Sequence, residues 1–481
     1  MDSSHSVTSS LGHSVTPSLC HFVTLSLLLL LSACATPEYD DPVAAMMDRR
    51  KQPEWRLGAA KQAEAKAADD PKRLAAMDRL VWDEGHPDEL RIYAIDQLIA
   101  RDEKDFLDKL DRRIVLIPYG TPMDHIFALG KERRWPHLSA MLVKRWAVPI
   151  RGVNDDNRKE RKWIGELNSD REVEQIVFET FTSPDEHITA PQRVGAWALL
   201  NRISTQDQLM TALAEAPATT ALVVDLKAAA ADLRALPRHR EGIKWLYFLR
   251  DPARADAWQQ AKANVAKLSP DQRVGLAMRH LAILPLLDEN TLAMNRTALL
   301  AAMHATLREE EIHTTSGRGG GLISDYPQRL SDRQDKLSWA DLATMRVLLR
   351  LVHDADVKRS LFEQADRDLA NNTTEFGGVL DIVTGKPIAK EYPPMLRVSH
   401  NRQYAPTEEM IQHCYTGLAH YHFHAQAHNN SAHAGPGLGD IETAERLDFN
   451  FLVFTFIDKD RLNVDYHQPG GAVIDLGTLR R

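Results

Sequence analysis

The feature that most limits the fold of this chain is a change of hydrophobic period near Thr374. From about residue 54 to residue 310 apolar residues recur at spacings of three and four, as in Leu90, Tyr93, Ala94 and Leu98 or Val194, Trp197, Ala198 and Ile203. That is the period of helices with one buried stripe. Each of these segments follows a proline-bearing turn, at Pro87 and at Pro191. From Thr374 onward short β-type runs take over: Gly378 to Val383, Met395 to Ser399, Gly417 to His424, Phe449 to Ile457, Leu462 to Tyr466 and Ala472 to Leu476. Asp458 to Asp460 and Gln468 to Gly471 read as hairpin connections, and Asp440 to Leu447 as a helix. Helices first and strands afterwards predict an α+β chain, with an all-α amino-terminal part and a compact α+β domain at the carboxyl end.

With 481 residues the chain is long enough for two or three cores. A net charge of −8 with no strongly basic stretch argues against a general nucleic-acid binder. Residues 54–313 are expected to form the helical domain, 314–350 a linker and helix, and 351–481 the sheet domain. Pro191-Gln192-Arg193-Val194-Gly195 is echoed by Asp271-Gln272-Arg273-Val274-Gly275 after Pro270, roughly eighty residues later. This spacing resembles two units of a HEAT-like array, and a helical bundle remains the alternative. The histidines of this part are scattered, so its expected role is scaffolding or partner binding. The glycine run Thr314 to Gly321 lacks a following Gly-Lys-Ser/Thr and reads as a loop, and Trp339 to Val352 and Val357 to Leu369 read as two further helices.

Cys20, Cys34 and Cys414 are the three cysteines, too few for a disulfide framework. Leu25 to Leu31 is an apolar run too short to span a bilayer, and it ends in Leu31-Ser32-Ala33-Cys34. This resembles a bacterial lipoprotein signal. It implies a signal segment with lipobox over residues 1–34, cleaved so that Cys34 is the lipidated first residue of the mature protein, a polar tether over 35–53, and a protein held on a membrane of the cell envelope, facing the periplasm or exterior. Nothing before Cys34 is Lys or Arg, and His5, His13 and His21 open three copies of an eight-residue repeat, the pattern of repetitive coding DNA or a misplaced start.

The chemistry gathers near the carboxyl end. If Gly417 to His424 is a strand, its period of two sends His420, His422 and His424 to one face and Tyr421 and Phe423 to the other. A lone histidine there would be a packed core residue, but three in alternation, followed by His428 and His433, point to metal. Asp440 follows Pro436-Gly437-Leu438-Gly439 at the start of a helix, where it suits both an N-cap and an oxygen ligand. Two imidazoles and a carboxylate can supply the three protein ligands of an open zinc site. Glu375, standing before Phe376-Gly377-Gly378-Val379-Leu380, is the carboxylate left over.

These residues resemble the JAB/MPN (JAMM) metallopeptidases, whose pattern is Glu-x-x-Gly-x-Leu, then His-x-His, then Ser-x-x-Asp before a helix. Here Glu375 to Leu380, His422-Phe423-His424 and Gly437 to Asp440 match in order and context, over roughly residues 357–479. The resemblance implies an MPN-like domain with Zn2+ held by His422, His424 and Asp440 and with Glu375 as the catalytic base. His420 is an alternative ligand, because His420 with His422 is also a His-x-His pair. Two departures stand out. The segment from His424 to Asp440 is long, consistent with a loop inserted at Ala425 to Ala434, and Gly437 occupies the oxyanion position where the family has Ser.

The resulting expectation is an exported, membrane-anchored zinc peptidase or amidohydrolase acting on a peptide or protein substrate, with the helical region free to bind a protein partner. A catalytically silent MPN-like platform of an envelope assembly, and plain metal capture by a histidine-rich loop, stand as alternatives.

Overall fold

A computed structural model describes residues 37–150, 152–308, 313, 328–395 and 404–481. The signal segment, Cys34, the glycine run after Thr314 and the strand expected from residue 396 onward lie outside the described residues. The chain divides into two compact units, Met1–Met141 and Leu142–Arg481. The expected division at 313/314 is therefore not where compactness changes.

In the first unit the described residues are helical, with Pro42–Met47, Pro53–Lys66, Pro71–Trp82, Asp88–Arg101, Glu103–Arg113 and Thr121–Arg133 in order. Three of these helices open on a proline, whose fixed φ and missing N–H cost nothing in a first turn. The polar tether expected over residues 35–53 is corrected here. Asp41 caps the helix Pro42–Met47, Met46 is fully buried, and Arg56 Nε donates to its carbonyl at 2.8 Å. Two buried apolar residues, Ala45 and Met46, are enough to fix a short segment that charge alone would mark as solvated.

The second unit joins further helices to a six-stranded mixed sheet, so the α+β layout holds. The sequence echo does not become a structural repeat at these two positions. Pro191 lies in the first turn of the helix Ala190–Ile203, whereas Asp271–Arg273 is a single 3-10 turn followed by Gly275 at φ +75°. Trp339–Val352 is a helix as expected, and the next runs Ala355–Ala370.

The strands are β1 Gly377–Val383, β2 Lys386–Tyr392, β3 Ala419–His424, β4 Phe451–Asp458, β5 Arg461–Gln468 and β6 Ala472–Arg480, in the spatial order β2-β1-β3-β4-β5-β6. All neighbours are antiparallel except β3 and β4. β2 is a strand the sequence reading lacks. Its Pro387 and two lysines suit an edge, where a missing N–H is tolerated, and Thr384 and Gly385, both at positive φ, make the tight turn that folds it back on β1. Gly377 and Gly378 let β1 lie close to its neighbours: a Cβ on Gly378 would fall 2.1 Å from Lys390 O, and one on Gly377 2.6 Å from Tyr421 O.

A parallel pair needs a crossover. Between β3 and β4 it runs through the loop after His424 and the helix Leu438–Leu447. That helix ends at Asp448, at φ +59°, whose carboxylate meets Arg279 at 3.2 Å. Arg279 also pairs with Asp341 at 2.9 Å, and Asn450 Nδ2 donates to Arg279 O at 2.9 Å. Trp245 stacks on Tyr415 and meets Phe449 edge-on. These contacts, between residues 240–280 and the sheet, explain why helices that read as a separate domain belong to the same compact unit.

Candidate metal centre

Strand register assembles the site. Gly377 of β1, His422 of β3 and Val453 of β4 are partners in one row, and His424 pairs with Thr455 two rows on. The histidines thus share a face, as the period of two requires. Phe423 N–H donates to Phe376 O at 3.1 Å, so the chain bearing Glu375 runs alongside the His422–His424 end of β3. The crossover helix then returns Asp440 to the same place.

His422, His424 and Asp440 each offer a ligand atom, and these atoms lie within 4.8 Å of one another. Both imidazole Nε2 atoms face Asp440 Oδ2, at 3.5 Å for His422 and 3.7 Å for His424. His424 is oriented by its other nitrogen, since Nδ1 lies 2.9 Å from His433 O. Donation to that carbonyl keeps the proton on Nδ1 and the lone pair on Nε2, the arrangement that outer partners impose on metal-binding histidines. His422 Nε2 is buried and meets Asp440 Oδ2 only at 3.5 Å, the outer limit of a hydrogen bond. A buried polar atom so weakly partnered is costly, and a cation bridging the three groups would remove that cost. The donor set of two nitrogens and a carboxylate oxygen fits zinc.

Asp440 is not the N-cap that its place before a helix suggested. The N-cap is Gly437, and Asp440 stands at the third helical position, its Oδ2 accepting the Gly437 N–H at 2.8 Å. Helix capping and convergence on the histidines therefore use the same carboxylate. Burial opposes its ionisation, but His422, His424 and His467 outweigh burial and hold Asp440 well below the usual carboxylate range. For His422 burial works against protonation, and Asp440 and Glu375 overcome it, so its pKa is raised. Burial dominates at His424, which is lowered to about 4.

Glu375 is 3 % exposed and its Oε1 accepts a hydrogen bond from Gln426 Nε2 at 2.9 Å. Burial first, then the charges of Asp440 and Asp368, push its carboxyl up to about 8. A carboxyl that titrates near neutrality beside a ligand cluster has the property a general acid-base group needs. The loop after His424, which reads in sequence as an insertion, holds the site from outside: Gln426 binds Glu375, Asn430 Nδ2 donates to His424 O at 2.9 Å and to Gln426 Oε1 at 3.0 Å, and His433 supplies the carbonyl for His424.

His420 is brought to the same face but not into the ligand cluster. It packs against Phe451 at 4.9 Å between ring centroids, and neither of its ring nitrogens has a partner. His428 lies against Phe456. Sequence reasoning missed three groups. Asp368, buried on the helix Ala355–Ala370, accepts the Phe376 N–H at 2.7 Å and is raised by burial to about 7. His467 on β5 is buried with both ring nitrogens unpartnered. Gln426 looked like loop filler. An aspartate in an amphipathic helix carries no local signal, but the alternation of Asn463, Asp465 and His467 along β5 could have flagged a polar sheet face.

Comparison with known protein families, with curated proteins and with solved structures returns no match to this chain.

Proposed function

We propose that the chain is a zinc-dependent hydrolase of amide or isopeptide bonds with a JAMM-like site. The observation that carries this reading is the convergence of His422 Nε2, His424 Nε2 and a carboxylate oxygen of Asp440 within 4.8 Å, in the order along the chain that the motif requires. Zinc, when bound, would supply Lewis-acid activation of the scissile carbonyl and of the attacking water. Glu375 takes the proton of the attacking water onto a carboxylate oxygen and returns it to the leaving nitrogen. Gln426 keeps Glu375 in position through Oε1, and His433 O keeps His424 in the tautomer that presents Nε2.

The test compares metal content and peptide hydrolysis of the full-length chain with three variants. His422→Ala and Asp440→Ala are expected to lose zinc. Glu375→Gln is expected to keep it while hydrolysis falls about 10²–10⁴-fold. Loss of zinc in Glu375→Gln, or normal cleavage by it, removes the proposed role.

One observation favours the silent-platform reading. Gly437 has no hydroxyl to offer an oxyanion, and its backbone N–H is already committed to Asp440. Removal of one oxyanion donor costs about two orders of magnitude in rate or more. Zinc binding with no cleavage across a broad peptide library would make this the better description.

An exported, lipid-anchored protein is part of the same proposal, resting on Leu31-Ser32-Ala33-Cys34. Mass spectrometry of the mature amino terminus is expected to find an acylated Cys34, and an intact unacylated start removes the anchor. Among the described residues no helix is long and apolar enough to cross a membrane.

A further inference from the structure

The histidine face of the sheet continues past the metal centre into a second polar cluster. Asp465 of β5 and Asp475 of β6 are direct register partners, both essentially buried. Two carboxylates facing each other inside a sheet repel strongly unless something electropositive lies between them. Asp475 accepts N–H groups from Gly477 at 2.7 Å and His313 at 2.6 Å, and Asp465 Oδ2 accepts Asn463 Nδ2 at 2.8 Å.

What remains unpaired is mostly acceptor: three carbonyl or carboxylate oxygens against one hydroxyl. Asp465 Oδ1, Asn463 Oδ1, Gln328 Oε1 and Thr455 Oγ1 are all buried without a hydrogen-bond partner. Asn463 is oriented by the bond of its amide nitrogen to Asp465, which leaves the oxygen as the orphan. Gln328 lies against the same spot: a Cβ on Gly435 would fall 2.3 Å from Gln328 Nε2 and 3.7 Å from Asp465 Cγ. Thr455 is the register partner of Asn463. The amide nitrogens of Asn463 and Gln328 are already engaged, with Asp465 Oδ2 at 2.8 Å and Ala434 O at 3.5 Å, so the surplus here is of oxygen acceptors, which an electron-poor partner would satisfy. The register shift between Asn463 and Asp465, with Gly477 at φ +97° opposite, is the kind of bulge that re-aims side chains beside a site.

We propose that Asp465, Asp475, Asn463 and Gln328 form a site for a hard divalent cation, with calcium best suited, separate from the histidine centre. Two carboxylates and neutral amide oxygens are the ligand set that calcium accepts with irregular geometry, and imidazole takes no part in it. The cation ties β5 and β6 to the segment at Gln328 and Gly435, and so supports the loop that orients His424 and Glu375.

The experiment follows thermal unfolding of the chelator-treated full-length chain with Ca2+ or Mg2+ alone added. Calcium is expected to raise the midpoint by roughly 5 °C at a hundredfold excess over Kd. The shift should persist in Asp440→Ala, which separates it from the zinc proposal, and vanish in Asp465→Asn. Gln328→Met, which keeps both carboxylates, should weaken it and decides the matter should Asp465→Asn fail to fold. No shift with either ion, together with a more stable Asp465→Asn, means that the carboxyls share a proton and overturns the site. A calcium shift unchanged in both variants overturns it equally.

Discussion

The two faces of one sheet have been built to opposite rules. On one, Tyr421 and Phe423 of β3 meet Phe454 of β4 in tilted and edge-on ring contacts, and the Tyr421 hydroxyl finds Gln364 at 2.7 Å. Nearly every group there is apolar or satisfied. On the other face the same strands carry His420, His422 and His424, then Thr455, then Asn463, Asp465 and His467, and then Asp475, almost all buried. Several of their polar atoms have no partner. Burial without satisfaction costs stability, so the polar face weakens the fold as it stands and the aromatic face offsets that cost.

The largest effect should come from damaging the aromatic face. Phe454 is fully buried. Phe454→Ala should cost about 3–5 kcal/mol of unfolding free energy in urea, while zinc stoichiometry of the folded fraction stays unchanged. If zinc is lost along with stability, the two faces are not independent.

Next in size is the pH dependence of the metal-free chain. Glu375 and Asp368 are raised by burial to about 8 and about 7 from ordinary values of 4.5 and 3.8. A raised group holds its proton in the folded state after the unfolded chain has released it, so its contribution is full at low pH and fades as pH rises through the folded value. His422, also raised, acts in the same direction. His420 and His467 are lowered by burial and act at more acid pH, losing their contribution as pH falls below 6.5. Between pH 6.5 and 8, urea midpoints of the chelated chain should therefore fall, and Glu375→Gln should flatten that slope. A flat native profile would show that the polar face is better solvated than its burial indicates.

The smallest effect sharpens the contrast at a single residue. His467 has two buried, unpartnered ring nitrogens and stacks on Phe451 at 4.9 Å. Replacing it by Phe removes unsatisfied polar atoms at similar shape, and should stabilise the chain by about 1–2 kcal/mol, measured by urea unfolding. A loss of stability would reveal a partner for the imidazole.

Much of this was legible in the chain. The period of two at Gly417 to His424 placed the histidines on one face and the aromatics on the other, and the helix starting near Asp440 followed from its turn and its apolar spacing. β2 escaped because Pro387 and its lysines mask an edge strand whose existence depends on β1 beside it. The expected tether over residues 35–53 failed because the burial of Met46 is a property of its neighbours, not of its own composition.

Sequence alone determined which groups could bind: two alternating imidazoles, a carboxylate at a helix start and a glutamate before a glycine pair are local patterns set by the geometry of strand and helix. Only the tertiary structure decided which of them meet. Register chose His422 and His424 over His420, the crossover of a parallel strand pair brought Asp440 back to them, and the same folding spent the Gly437 N–H on Asp440. It also placed Asp368, Gln426 and the Asp465–Asp475 pair in the site's surroundings. Those contacts join residues far apart in the chain, and their free energy depends on desolvation and pairing that exist only once the sheet has closed.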